Sequence, residues 1–382
     1  MDLDRYYRGL LERYGNGAMG RREFLGRLGL AALSVGAGGS VMTVLARHAR
    51  AAATIRYDGY GGVPQAALNK HVLQPYIAKS GSTINQGSFG NPDELLAKIR
   101  AEGVNNYNML SCADESTALR FIDAGFTTSL DESKIPRLKD LIPASLESLR
   151  RINNGKLPSV PFGLSGVWLA YNREKIDKAE MDAKGFNILL DAKYKGTIVG
   201  EDYWIRRMWY AAEQTKQDPN DIKDLDAIWD KIRESRRVVL KYWATGAEQM
   251  QLFSSGNAVV GDGWFVRVYN LKKQGFPIEG WPQKGTYVTF GSLLPLKSIN
   301  LEAYYEIADM LLRPEVMIAL SLDTGQSPLL DPSKHKIPPE ASAIPGFDPT
   351  GKLEGYRTLN PLYWSKNADN WQRQYQRVMA RG

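Results

Sequence analysis

The chain has 382 residues, with 49 Lys and Arg against 42 Asp and Glu, a formal net charge of +7. Residues 1–51 hold eight arginines and four acids, so the remainder carries only +3, which excludes a broad basic footprint for nucleic acid. The single cysteine, Cys112, excludes an intramolecular disulfide, and a chain of this length can bury a sufficient core without one.

The first element in chain order is a basic segment ending in Gly20-Arg21-Arg22-Glu23-Phe24-Leu25, then an apolar stretch over 28–46. Ala49-Arg50-Ala51 reads as an A-x-A cleavage site. Basic, apolar and small-residue regions in this order predict an export leader over 1–51, cut near Ala51. The alternative, a retained anchor, needs about 20 predominantly apolar residues; here Gly29, Gly36, Gly38 and Gly39 interrupt the stretch. The arginine pair followed by Phe-Leu resembles the twin-arginine (Tat) class of leaders. That resemblance implies export to the periplasm, with the Tat machinery engaged through Arg21 and Arg22.

Strand and helix signals then alternate, which predicts an α/β chain. A strand is expected over 54–57, a glycine loop at Gly59-Tyr60-Gly61-Gly62, and a helix over 63–79 closed by Ser80-Gly81. Asn91-Pro92-Asp93-Glu94 reads as a helix start, with Asn as cap and acids at the positive end of the helix dipole. Further strands are expected over 107–111, 167–171, 197–200, 258–260 and 287–294. Helices are expected over 115–124, through Trp209 and Ala211, over 225–234, 246–254, 301–312 and 315–322, and at the end around 370–381. The short pairs Arg206-Arg207 and Arg236-Arg237 read as solvated helix faces. Cys112 ends an apolar run and reads as a small buried hydrophobe.

Several segments taken together resemble periplasmic solute-binding proteins of ATP-driven importers, with the spermidine/putrescine-binding branch the best match. Residues 159–172, with Pro161-Phe162-Gly163 and Trp168, look like that family's crossover strand. Residues 252–264, ending Gly261-Asp262-Gly263-Trp264, are similar to its short helix, glycine, strand and tryptophan. Trp281-Pro282-Gln283-Lys284-Gly285 and Ser292-Leu293-Leu294-Pro295 resemble the return crossover, and residues 308–316 the helix pair that follows. The resemblance implies a two-lobed periplasmic-binding-protein fold of type II with a ligand cleft between lobes joined by crossing strands. Lobe 1 would span 54–162, lobe 2 163–288, and the return to lobe 1 289–328. A C-terminal segment over 329–382 would pack mainly on lobe 2. It also implies a monomer with no cofactor and no bound metal, partnered by a small-molecule ligand and by an inner-membrane ABC permease and ATPase.

A polyamine site needs carboxylates for the ammonium groups and aromatic faces for the methylene stem. The matching positions supply the aromatics Tyr60, Phe89, Tyr203, Trp204, Trp243, Trp264 and Phe290. The acid candidates are Asp58, Asp114, Glu115, Asp202 and Asp262, with Glu201 also in a cleft loop. The branch's first loop, Asn-Trp-x-Glu-Tyr, is here Asp58-Gly59-Tyr60-Gly61-Gly62, and its return-strand Trp-x-Asp-Ser is Thr289-Phe290-Gly291-Ser292. Both have lost their acids, which points to a smaller amine or a zwitterion rather than a long polyamine. The glycines at 59, 61 and 62 would suit backbone approach to an anionic ligand group.

Two other classes compete with a transport role. An exported enzyme would share the leader, but no Gly-x-Gly-x-x-Gly, Walker, Cys-x-x-Cys, His-x-x-x-His or Gly-x-Ser-x-Gly motif is present. A ligand-sensing receptor on the same fold is not separable from a transport subunit by sequence. Tyr304-Tyr305, the nearest thing to a ferric-binding tyrosine pair, falls in an expected helix and reads as core.

Overall fold

The computed structural model describes residues 53–90, 92–281 and 285–380, together with Arg13. The leader with Arg21, Arg22 and the cleavage site at Ala51, the expected cap Asn91, and Pro282, Gln283 and Lys284 lie outside the described residues. Among the described residues the larger compact unit lies within Thr54–Lys79 and 83–380. The larger unit is mixed α/β, as the alternation of patterns predicts.

Its strands are β1 (Thr54–Gly59), β2 (Thr83–Ser88), β3 (Met109–Cys112), β4 (Val160–Asn172), β5 (Ile198–Glu201), β6 (Val239–Trp243), β7 (Val260–Trp264), β8 (Ile278–Trp281), β9 (Thr286–Pro295) and β10 (Tyr356–Thr358). They run in the order β2-β1-β3-β9-β4-β7-β5-β6, with β10 on β9 and β8 on β4. In one half, β1, β2 and β3 are parallel. In the other, β5 is parallel to both β6 and β7. β4 joins the halves: residues 160–166 pair with β9, and residues 167–172 with β7 and β8, all antiparallel. β9 leaves β8 behind and ends antiparallel to β3. The strand expected over 167–171 is therefore only the second half of a crossing strand of 13 residues.

The helix expected over 63–79 is interrupted rather than continuous. Gly62–Leu68 leads into a π-turn at Asn69–Leu73 and then into Gln74–Ser80. The wide turn inserts a residue and re-phases the apolar face, so that Val72, Leu73 and Tyr76 are all buried. At the other end of the chain the last helix runs over Pro361–Ala380, beginning well before residue 370. Its Trp364, Trp371, Tyr375 and Val378 enter the core built around Trp209, Ile228 and Trp281. The segment before it is tied elsewhere: Ile142 N–H donates to Leu329 O at 2.9 Å and Asp331 N–H to Asp140 O at 2.9 Å.

The helix Trp204–Gln214 departs most from expectation. Nine of its eleven residues are buried, Arg206 and Arg207 among them at 4% and 5% exposure. The reading of this pair as a solvated face is corrected: Trp204, Ile205, Met208, Trp209 and Tyr210 surround the pair with apolar surface, and the helix opens to water only toward Glu213 and Gln214. Tyr304 and Tyr305 lie in the core, as does Cys112.

Candidate functional site

The carboxyl ends of β1, β3, β5 and β7 carry loops that hold most of the expected site residues. Crevices at the carboxyl ends of parallel strands are where α/β sheets present ligand groups. After β1 comes Tyr60, its ring 4.5 Å from that of the buried Phe89. Its hydroxyl accepts from Ala113 N–H at 3.4 Å, which ties the loop after β1 to the loop after β3. Burial pushes the Tyr60 phenol up, and the nearby charge of Asp114 adds to this. Gly61 and Gly62 have φ of +70° and +61°, which is why glycine stands there. The Gly61 N–H is already bonded to Gln65 Oε1 at 2.9 Å, so this amide is not presented to a ligand as the glycine loop suggested.

Asp114 caps the helix Glu115–Asp123, accepting from Thr117 N–H at 2.7 Å and from Thr117 Oγ1 at 2.8 Å. Glu115 beside it is only 1% exposed and accepts a hydrogen bond from Ser148 Oγ. Burial raises its carboxyl to about 7, against the pull of the Ser148 hydroxyl. Asp58 is also buried, bidentate with Arg56 on its own strand, and Arg56 in turn lies over the Tyr107 ring. Its carboxylate is therefore occupied two residues away, on the same strand face.

The second half supplies a denser polar group. Glu201, at the end of β5, accepts from Trp264 Nε1 at 3.0 Å and from Arg206 Nε at 3.4 Å. Its carboxyl is raised by burial, with Arg206 opposing and Asp262 adding. Asp262, 0% exposed on β7, accepts from the Glu201 N–H at 2.8 Å and from Arg207 Nη2. Gly200 makes this possible: a Cβ there would lie 2.6 Å from Arg207 Nη1. Trp264 stands edge-on to the buried Trp243, 5.5 Å between ring centres. The Arg206 guanidinium lies 4.3 Å from the centre of the Tyr287 ring.

Tyr203, between β5 and its helix, belongs to the same neighbourhood. Burial raises its phenol; Asp114 adds to this and Arg120, from the other half, opposes it. Tyr287 is raised by burial as well, next by Asp114, with Arg206 opposing. Asp114 thus reaches Tyr60, Tyr203 and Tyr287 electrostatically, Arg206 and Tyr203 reach Tyr287, and Glu201 joins them with Trp264 hydrogen-bonded to it.

The remaining expected residues lie apart from this group. Asp202 is exposed and accepts from Tyr375 Oη at 2.8 Å, anchoring the last helix. Trp204 is core, packed 5.7 Å from Trp364. Phe290 keeps its ring fully buried on β9, with only its backbone amide reaching the Glu115 carboxylate, and Trp243 reaches the group through Trp264. Sequence reasoning passed over Arg206, Arg207 and Tyr287. The signal for the arginines was the aromatic and apolar run on both sides of them, which leaves a helix no polar stripe.

The model for bacterial extracellular solute-binding proteins matches residues 71–344. A putrescine/cadaverine-binding protein of Pseudomonas aeruginosa is 20% identical over 311 residues, 77% of this chain and 86% of the relative. The spermidine/putrescine-binding periplasmic protein 1 of Haemophilus influenzae is 21% identical over 326 residues, 81% of this chain and 85% of the relative. Among solved structures, an ABC transporter substrate-binding protein from Bradyrhizobium japonicum superposes with a TM-score of 0.71 at 22% identity, covering 86% of this chain and 99% of that one. These likenesses agree with the two-lobed fold. Among the described residues no helix is long and apolar enough to cross a membrane.

Proposed function

The chain belongs to the bacterial extracellular solute-binding protein family, and on that premise we propose that it is the periplasmic capture subunit of an ABC importer for a small amine-type ligand. It binds and delivers its ligand to the inner-membrane permease and ATPase, and performs no chemistry on it. The observation that carries the ligand class is the joining of acids and aromatic faces at the strand ends. Asp114 and Tyr60 come from one half, and Glu201, Trp264 and Tyr203 from the other. An ammonium group takes carboxylates and ring faces together, and a pocket between two lobes encloses a ligand by hinge closure. The low-identity relatives named for putrescine, cadaverine and spermidine support an amine. In this reading lobe 1 is 54–162 with 289–328, lobe 2 is 163–288, and the leader with Arg21-Arg22 delivers the chain through the Tat route.

The test is a thermal-shift screen of residues 52–382 against polyamines, amino acids, betaines and aminophosphonates. A ligand at 100 times its Kd stabilises by about 2.7 kcal/mol, a shift of roughly 3–8 °C for a protein of this size. No shift with any ammonium-bearing compound would count against the proposal.

A further inference from the structure

Arg206 carries a donor that the fold does not use. Its Nε is given to Glu201 Oε2, and its guanidinium is held over the Tyr287 ring. Its Nη1 is buried and has no hydrogen-bond partner among the described residues. A buried charged donor left unmade is among the more costly features a native structure can carry. The neighbouring acids do not relieve it: Asp262 takes Arg207 and the Glu201 amide on Oδ2 and keeps its buried Oδ1 unbonded, and Glu201 is shared between Trp264 and Arg206 Nε. The side chain lies against the Tyr287 ring, and Glu201, its ion-pair partner, is also held by Trp264, so the unused donor belongs to the group in which acids and aromatics meet.

We infer that the ligand carries an anionic group, a carboxylate or a comparable planar oxyanion, and that Arg206 Nη1 receives it while the ammonium end is held by Asp114 and the ring faces. This rests on the proposed amine-binding role and narrows it to an amino-carboxylate class. A guanidinium locked by an ion pair and a ring stack is pre-organised for such a group and pays little entropy to bind it. A diamine would bring a second ammonium toward the same guanidinium, where the unbonded Asp262 Oδ1 belongs to a carboxylate already paired with Arg207.

The experiment uses isothermal titration of the mature protein with matched ladders of three to six carbons: α,ω-diamines, ω-amino carboxylates and dicarboxylates. The expected result is an amino carboxylate binding about 10- to 100-fold more tightly than the diamine of equal length, the range for a hydrogen bond to a charged group. Arg206→Gln should erase that preference and leave the diamine unchanged or improved. Arg206→Lys keeps the charge and loses the fork; an intermediate preference is expected. If Arg206→Gln does not fold, the wild-type ladder alone decides. A diamine that binds as well as or better than its amino carboxylate overturns the inference while sparing the amine reading. Dicarboxylates binding best, with loss in Arg206→Gln, overturn the amine reading while sparing Arg206 as the anion receiver. No binding in any ladder overturns both.

Discussion

Substituting Glu115 with Gln should change how stability depends on pH. Glu115 lies in the first turn of its helix at 1% exposure, with Ser148, itself buried, donating to its carboxylate. Burial lifts its carboxyl from 4.5 to about 7. In the folded protein the proton is held across a range in which the unfolded chain has lost it. Stability from this group is therefore fully present below about 4.5 and declines as pH rises through about 7. At ~1.4 kcal/mol per pH unit that interval is worth about 3 kcal/mol.

Glu115→Gln removes the titration, and its amide oxygen can still accept from Ser148. Urea melts from pH 4.5 to 8.5 should show the variant equal to the parent at the acid end. It should be more stable by up to about 3 kcal/mol at the alkaline end, or on the order of 5 °C in Tm. Glu213 is also raised by burial to about 7, with Arg357 opposing, but its contribution is common to both proteins and cancels in the difference. Parallel pH profiles for parent and variant would refute the assignment.

Two further outcomes follow from the polar group of the second half. Asp262→Ala leaves the Arg207 guanidinium buried without a counter-charge and should cost about 3–5 kcal/mol, most of it recovered in Asp262→Ala with Arg207→Met; a single-variant loss below about 1 kcal/mol in urea melts would contradict a buried pair. Trp264→Ala should weaken ligand binding about tenfold or more by calorimetry while the protein stays folded. Asp202→Ala, which loses the Tyr375 contact, should leave affinity within about twofold, and the reverse pattern would move the site away from β7.

Elements with a buried side-chain pattern were legible, and elements defined by backbone pairing were not. Gly246–Ser254, Leu301–Leu311 and the core of β9 can be read directly from spacing and caps. β2 and β6 stand at the two ends of the sheet order, and β8 hangs off β4. β2 buries little more than Ile84 and β6 little more than Trp243, so no alternation marks them. The helix Phe265–Lys273 begins at the residue after β7, with no turn residue between. The early start of the last helix was legible after all: Trp364, Trp371, Tyr375 and Val378 recur at seven, four and three residues, one face of a helix.

Charges were harder to read because their meaning depends on distant partners. Asp58 could be assigned from Arg56, two residues away on the same strand face, but Asp262 and Arg207 are 55 residues apart and Glu201 and Trp264 63. Consecutive helical residues point about 100° apart, so Arg206 and Arg207 serve different acids from one turn of helix, Glu201 and Asp262 respectively. The same pairing bears on the ligand. Of the acids that reach the aromatic group, Asp114, Glu115 and Glu201, one already faces a guanidinium and one is bonded to Ser148. Of the other cations nearby, Arg120 is paired with Asp93 and Arg207 with Asp262. The loss of the acids expected in the first loop and in the return strand at Thr289-Phe290-Gly291-Ser292 therefore belongs with the burial of Arg206. On the proposed reading, both would shift the balance of the cleft from one suited to two ammonium groups toward one suited to a single ammonium and an anion. A site that had merely lost acids would bind a smaller cation; a site that also buries an unsatisfied guanidinium favours a ligand with both signs.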